Sequence, residues 1–165
     1  MDNRAKFLIL ATGLLGLLVG VVLIAQGGDD EGGGQATAEP TAEKPDVQVP
    51  NGPPPDTLQI ETLEEGEGEG EGAEAGDTVS VQYVGVLYRN GEEFDSNWGS
   101  GQFFDVELGA GAVIPGWDQG LVGIEVGETR RLTIPAALAY GEQGQPPTIP
   151  PNSALIFVVE AVRIA

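Results

Sequence analysis

The chain has 165 residues, with 7 basic and 26 acidic side chains and a formal net charge of −19. That balance argues against nucleic acid as a partner, because the phosphate backbone would repel it, and it favours solubility. Cysteine and histidine are both absent, which excludes disulfides, thiol nucleophiles, Ser-His-Asp or Cys-His machinery and His-ligated zinc.

Residues 7–25 (FLILATGLLGLLVGVVLIA) are an uncharged apolar run of 19 residues. As a helix rising about 1.5 Å per residue it spans roughly the 30 Å hydrocarbon core of a bilayer. Arg4 and Lys6 precede it, and Asp29, Asp30 and Glu31 follow it. The positive-inside rule then places residues 1–6 in the cytoplasm and the rest outside, as a single-pass membrane protein. The alternative is secretion after signal cleavage, but the run is long for a signal peptide and Leu23-Ile24-Ala25 is a poor cleavage site. Gly16 and Gly20 form a weak GxxxG pair.

Residues 26–56 are rich in Gly, Pro, Glu, Ala and Thr and nearly devoid of large apolar residues. Such a segment buries too little to offset its ordering entropy and reads as a disordered tether, stiffer at Pro53-Pro54-Pro55. Leu58 and Ile60 then alternate with polar residues, as in a strand. Residues 64–77 (EEGEGEGEGAEAGD) read as a solvated acidic loop, because Glu alternating with Gly lacks the fixed geometry of a calcium site.

Residues 78–87 (TVSVQYVGVL) place Val79, Val81 and Tyr83 on one face and Ser80 and Gln82 on the other, the pattern of a half-buried strand. Asn90-Gly91 is a turn signal, followed by Glu92-Glu93-Phe94-Asp95. Residues 103–108 (FFDVEL) alternate again. Ile114, Trp117 and Leu121 fall on one face of a short helix, with Pro115 suited to its first turn. A large ring on the inner face of so short a helix suits a pocket floor, and nine of the ten aromatics lie between Tyr83 and Phe157. Residues 128–134 (ETRRLTI) and 153–164 (SALIFVVEAVRI) complete the strands, separated by a loop carrying Pro146, Pro147, Pro150 and Pro151. The expected class is α+β, a five-stranded antiparallel sheet curled over one short helix, in a domain spanning residues 57–165.

Several pieces, in this order, resemble the FKBP-type peptidyl-prolyl isomerases: Val81-Gln82-Tyr83-Val84-Gly85, Gly91-Glu92-Glu93-Phe94-Asp95-Ser96, Val113-Ile114-Pro115-Gly116-Trp117, Val126-Gly127-Glu128, Ala139-Tyr140-Gly141, and Ile149-Pro150-Pro151-Asn152 running on to Phe157. The resemblance covers residues 57–165 and suits an exported or membrane-anchored bacterial member. It implies that Trp117 is the floor of an apolar pocket walled by Tyr83, Phe94, Phe104, Val113, Ile114, Tyr140, Ile149 and Phe157. It implies that the Ile114 N–H binds a ligand carbonyl and that Asp95 supplies a polar contact at the rim. Tyr83, Asp95, Ile114, Trp117, Tyr140 and Phe157 would carry catalysis; Phe94, Phe104, Val113 and Ile149 would bind substrate. Gln145, Leu138 and Thr148 depart from the commoner pattern beside the covering loop, where many members have histidine, some tyrosine, and frequently an apolar residue.

The implied activity is cis-trans isomerisation of X–Pro bonds in exported proteins, with macrolide inhibitors as possible ligands and no cofactor or metal. A proline-peptide-binding chaperone module with little turnover is the alternative. Rotation about an X–Pro bond meets a barrier of about 18–20 kcal/mol from amide resonance. The end states differ by only about 0.5–1 kcal/mol. A pocket that binds the twisted, less polar amide better than either planar form therefore suffices as a catalyst.

Overall fold

The computed structural model describes residues 36–41, 43–67 and 72–165. The apolar run 7–25, residues 26–35 of the expected tether and residues 68–71 of the acidic run lie outside the described residues. No helix among the described residues is long and apolar enough to cross a membrane.

Along the chain come β1 (Ala36–Thr37), β2 (Gln59–Glu64), β3 (Thr78–Leu87), β4 (Glu93–Ser96), β5 (Phe104–Glu107), α1 (Pro115–Gly120), β6 (Thr129–Ile134), a single 3-10 turn (Ala136–Leu138) and β7 (Leu155–Ile164). All pairings are antiparallel, in the order β2-β6-β7-β3-β4. The centre is the β3–β7 pair, two strands of ten residues rich in the β-branched side chains that fit a pleated surface. β4 pairs with Val84–Val86 of β3 and β5 pairs with Thr78–Val81, so the two share one edge. Gly91 turns the chain between β3 and β4 at φ +72, donating its N–H to Leu87 O at 2.8 Å.

The helix sits on one face of this sheet. Pro115 occupies its first turn. Gly116 and Gly120 face β6 so closely that a Cβ would lie 2.4 Å from Ile134 Cγ2 and 2.8 Å from Leu132 Cδ2, respectively. At the other end the Arg130 guanidinium donates to the carbonyls of Gly120 (3.1 Å), Val122 (2.9 Å) and Gly123 (2.7 Å). A cation there satisfies carbonyls that the helix leaves unpaired and complements its negative end. Glu128 in turn holds Arg130 at 2.5 and 3.0 Å. Trp117, Leu121, Leu132, Ile134, Leu155, Phe157 and Val159 form the core between helix and sheet.

The sequence reading differs from the structure at the opposite face. There Val84, Val86, Tyr88, Trp98, Ala154, Ile156 and Val158 form a second apolar cluster, with Val47 and Val49 packed against it. The described part of the expected tether, residues 36–41 and 43–56, is therefore a strap on the sheet. β1 pairs with Arg163 and Ile164 of β7, beyond the reach of β6 along that edge. Ala38 N–H donates to Val162 O at 2.9 Å, and Tyr88 donates its hydroxyl proton to Pro53 O at 3.2 Å. Buried Glu160 accepts the Thr41 N–H (2.9 Å) and hydroxyl (3.1 Å) and the Gln82 amide (2.6 Å). Gln82, expected on a solvated face, is buried for this reason, while Ser80 on the same face is buried with its hydroxyl engaged by Asp105 and Arg163. Unpaired edge groups and apolar sheet surface are both costly, and the strap covers some of each.

Replacing Val47 and Val49 together by serine should lower the unfolding free energy by about 2 kcal/mol, since both are half-buried on apolar partners. Urea denaturation of the residue 36–165 fragment with and without the double substitution measures it. No change would mean that the strap contributes nothing by packing.

Candidate functional site

A cavity of about 470 Å³ opens between helix and sheet. β3 supplies Tyr83, β4 supplies Phe94 and Asp95, and β5 begins with Phe104. The segment entering α1 supplies Ala112, Val113 and Ile114; the helix supplies Trp117; Tyr140 follows the 3-10 turn; Phe157 comes from β7. Nine of the ten residues expected here from sequence are thus brought together.

Ile149 is the exception. It is 2% exposed and packs in the main core, tied into its loop by N–H···O bonds with Gln145 of 2.8 and 2.9 Å. Its burial in that core leaves it out of the cavity lining. Leu138 likewise packs against the core. Ala112 lines the cavity without having been anticipated, because a small residue beside a turn carries no distinguishing signal.

The aromatic side chains meet edge to face. Trp117 lies 5.2 Å from Tyr83 and 5.2 Å from Phe157, with 84° between planes in both cases. Phe94 meets Phe157 at 5.5 Å and 87°, and Phe104 meets Trp117 at 6.1 Å and 72°. This arrangement sets positive ring edges against negative ring faces, fixing the walls beyond what area burial alone would do. Gly85, opposite Phe157 in the β3–β7 register, makes room for it: a Cβ there would lie 2.7 Å from both Phe157 Cε1 and Phe94 Cζ. Trp117 is 4% exposed, and its Nε1–H has no hydrogen-bond partner among the described residues.

Polar groups are few and sit at the rim. Tyr83 donates its hydroxyl proton to Asp95 Oδ2 at 2.7 Å. Burial holds the Tyr83 phenol well above its ordinary pKa, and the Asp95 carboxylate raises it further. Tyr140 is raised by burial and then by Asp95. Both tyrosines are therefore neutral at ordinary pH. Asp118, one residue past the floor, accepts the N–H groups of Gly109 (3.2 Å) and Gly111 (3.1 Å), which anchors the segment leading to Ala112 and Val113. Ile114 caps the helix at φ −58 and ψ 145, and its N–H makes no hydrogen bond among the described residues. An apolar cavity with a free backbone donor and a carboxylate at its edge suits a ligand that is mostly hydrocarbon and carries carbonyls.

A family model for FKBP-type peptidyl-prolyl cis-trans isomerases matches residues 69–162. An FK506-binding protein of Streptomyces anulatus is 50% identical over 123 residues, covering 74% of this chain and 98% of the relative. This chain belongs to the FKBP-type peptidyl-prolyl cis-trans isomerase family. FK506-binding protein 2 of Yarrowia lipolytica is 56% identical over 92 residues, 56% of this chain and 63% of the relative. The peptidyl-prolyl cis-trans isomerase FPR2 of Saccharomyces cerevisiae is 52% identical over 89 residues, 54% and 66% respectively. The cavity and every aromatic wall lie inside the matched FKBP-type region.

A phenol whose pKa is raised by folding contributes stability that is fully present below its unfolded value of 10.0 and lost as pH rises toward the folded value. The folded chain should therefore lose stability more steeply above pH 10 than its Tyr83→Phe variant does. Chemical denaturation at a series of pH values from 8 upward reads this directly; parallel curves would contradict the assigned environment of Tyr83.

Proposed function

We propose that this chain accelerates cis-trans isomerisation of X–Pro bonds in exported proteins, held to the membrane by residues 7–25. The observation that carries the isomerase reading is the cavity itself, with Trp117 as its floor and aromatic rings around it. The family supplies the reaction. The proline ring enters among Trp117, Tyr83, Phe104 and Phe157. A substrate carbonyl accepts the free Ile114 N–H, which orients the bond at the helix entrance. The apolar walls desolvate the amide. Twisting it removes resonance and lowers its polarity, so this surround favours the twisted form over either planar one. Rotation needs no nucleophile and no proton transfer. The neutral Tyr83 phenol, engaged with Asp95, keeps an ionised group away from the pocket interior.

The membrane reading rests on the uncharged run with Arg4 and Lys6 before it and Asp29, Asp30 and Glu31 after it. In this layout residues 1–6 are cytoplasmic and the isomerase domain is extracytoplasmic. The tether is shortened to the residues ahead of the strap. Clients are chains that expose X–Pro while folding outside the cytoplasm, and macrolides are competing ligands.

The test uses residues 36–165, which include the strap. Refolding of a proline-limited protein, and turnover of a peptide with leucine or phenylalanine before proline, should both accelerate in a macrolide-sensitive way. Trp117→Leu, which keeps an apolar side chain in the core, should lower kcat/KM by about 10- to 100-fold while the domain stays folded. A folded fragment that neither binds a macrolide nor accelerates either substrate would overturn the reading. Binding without acceleration would make it a proline-peptide-binding module.

A further inference from the structure

The edge of β3 that carries the pocket is interrupted at its most important point. β5 pairs with it as far as Val81, and β4 begins only at Val84. Between them lie Gln82 and Tyr83, with no strand register on that side. Backbone groups left unpaired there would cost stability and let Tyr83 move.

The side chain of Asn97 fills the gap. Its Oδ1 accepts the Tyr83 N–H at 2.6 Å, and its Nδ2 donates to Val81 O and Gln102 O, both at 3.1 Å. The Asn97 N–H donates to Tyr83 O at 3.1 Å, and the adjacent Ser96 hydroxyl donates to the same oxygen at 3.0 Å. The turn is also held on its far side, where Gln82 Oε1 accepts the Gly99 N–H at 3.3 Å. A carboxamide offers the donors and acceptor of a peptide group, so Asn97 substitutes for the missing strand backbone. Aspartate lacks the donors, and serine is too short to reach Val81 and Gln102 while accepting from Tyr83.

We propose that Asn97 is a positioning residue of the isomerase site: its side chain fixes the β3 backbone at Tyr83 against the turn that follows Asp95, and so sets the Tyr83–Asp95 rim. The catalytic part of this inference rests on the isomerase reading above. Asn97 does not line the cavity. Its influence passes through the Tyr83 backbone, which it binds at both N–H and C=O.

The experiment compares the full chain with its Asn97→Ala and Asn97→Asp variants. Tyr83 is followed by ultraviolet phenol titration, as the difference between each chain and its Tyr83→Phe counterpart, which needs no activity. In the variants the Tyr83 transition should move down, because the freed backbone leaves the ring less buried and loosens its contact with Asp95. Macrolide affinity and kcat/KM should each fall about tenfold. Asn97→Asp, which keeps the acceptor, should lie between wild type and Asn97→Ala. A merely structural residue would lower Tm and leave the titration and the affinity unchanged, and folded variants behaving so would overturn the proposal. Should neither variant fold, amide exchange in the unsubstituted chain decides: the Tyr83 N–H should be protected as a strand interior is, and exchange at the rate of an open loop would refute the bond. An inactive parent chain with a displaced Tyr83 titration in the variants would refute the isomerase reading and leave the positioning role standing.

Discussion

The pocket depends on how low the helix sits. α1 is only six residues long and has no side-chain cap at its start, so its own backbone holds it weakly. It stays in place because Gly116 and Gly120 present bare backbone to Ile134 and Leu132 of β6. Side chains at those positions would lift the helix by the thickness of a methyl group. Trp117 would rise with it, and its 5.2 Å contacts with Tyr83 and Phe157 would open. Arg130 works toward the same end from the other terminus, gathering three carbonyls while Glu128 neutralises its charge. The height of one ring above a sheet is thus set by two absent side chains and one fixed cation.

The chemistry inherits that rigidity. Isomerising a prolyl bond requires no reactive group, which is consistent with a chain that lacks histidine and cysteine. What it requires is a shape and a low polarity that persist while the amide turns. Interlocked edge-to-face rings supply both, since each ring limits the rotation of the next. The polar groups that remain are held out at the rim, where Tyr83 and Asp95 satisfy one another.

The aromatic part of this site was legible in the sequence as large residues at strand and helix spacings, while the roles of Asp95, Val113 and the Ile114 N–H came only from the resemblance to the FKBP-type isomerases. Tyr83 and Phe157 fall on alternating faces, and Trp117 falls on the inner face of a helix. Ile149 was expected at the wall and lies in the core, because an apolar residue in a proline-bearing loop reads the same in either place. The strap was read as a tether for a different reason. Its composition is that of a disordered chain, and only Val47 and Val49, two residues apart, betray an extended segment with one side on a surface. Its other attachments are backbone groups, Thr41 and the Lys44–Glu93 ion pair, which leave no trace in hydropathy. Asn97 was equally silent, since an asparagine entering a turn is ordinary, and its value lies in an interruption of β3 that only the pairing shows.

The strap changes what holds β3 and β7 in step. In a sheet with one wet face, a strand that slips by one residue exposes its apolar side, and that penalty fixes the alignment. Here both faces of the central pair are covered, and valine or isoleucine lies on each, so hydropathy alone discriminates poorly between alignments. The Gln82–Glu160 pair supplies the discrimination. The two residues are direct partners across the strands, both buried, and joined at 2.6 Å. A slip of one residue would turn Glu160 toward the aromatic side, away from Thr41 and Gln82, and leave its carboxyl group without hydrogen-bond partners in hydrocarbon. A single buried polar contact thus acts as the key that admits one alignment of the central strands and rejects its neighbours.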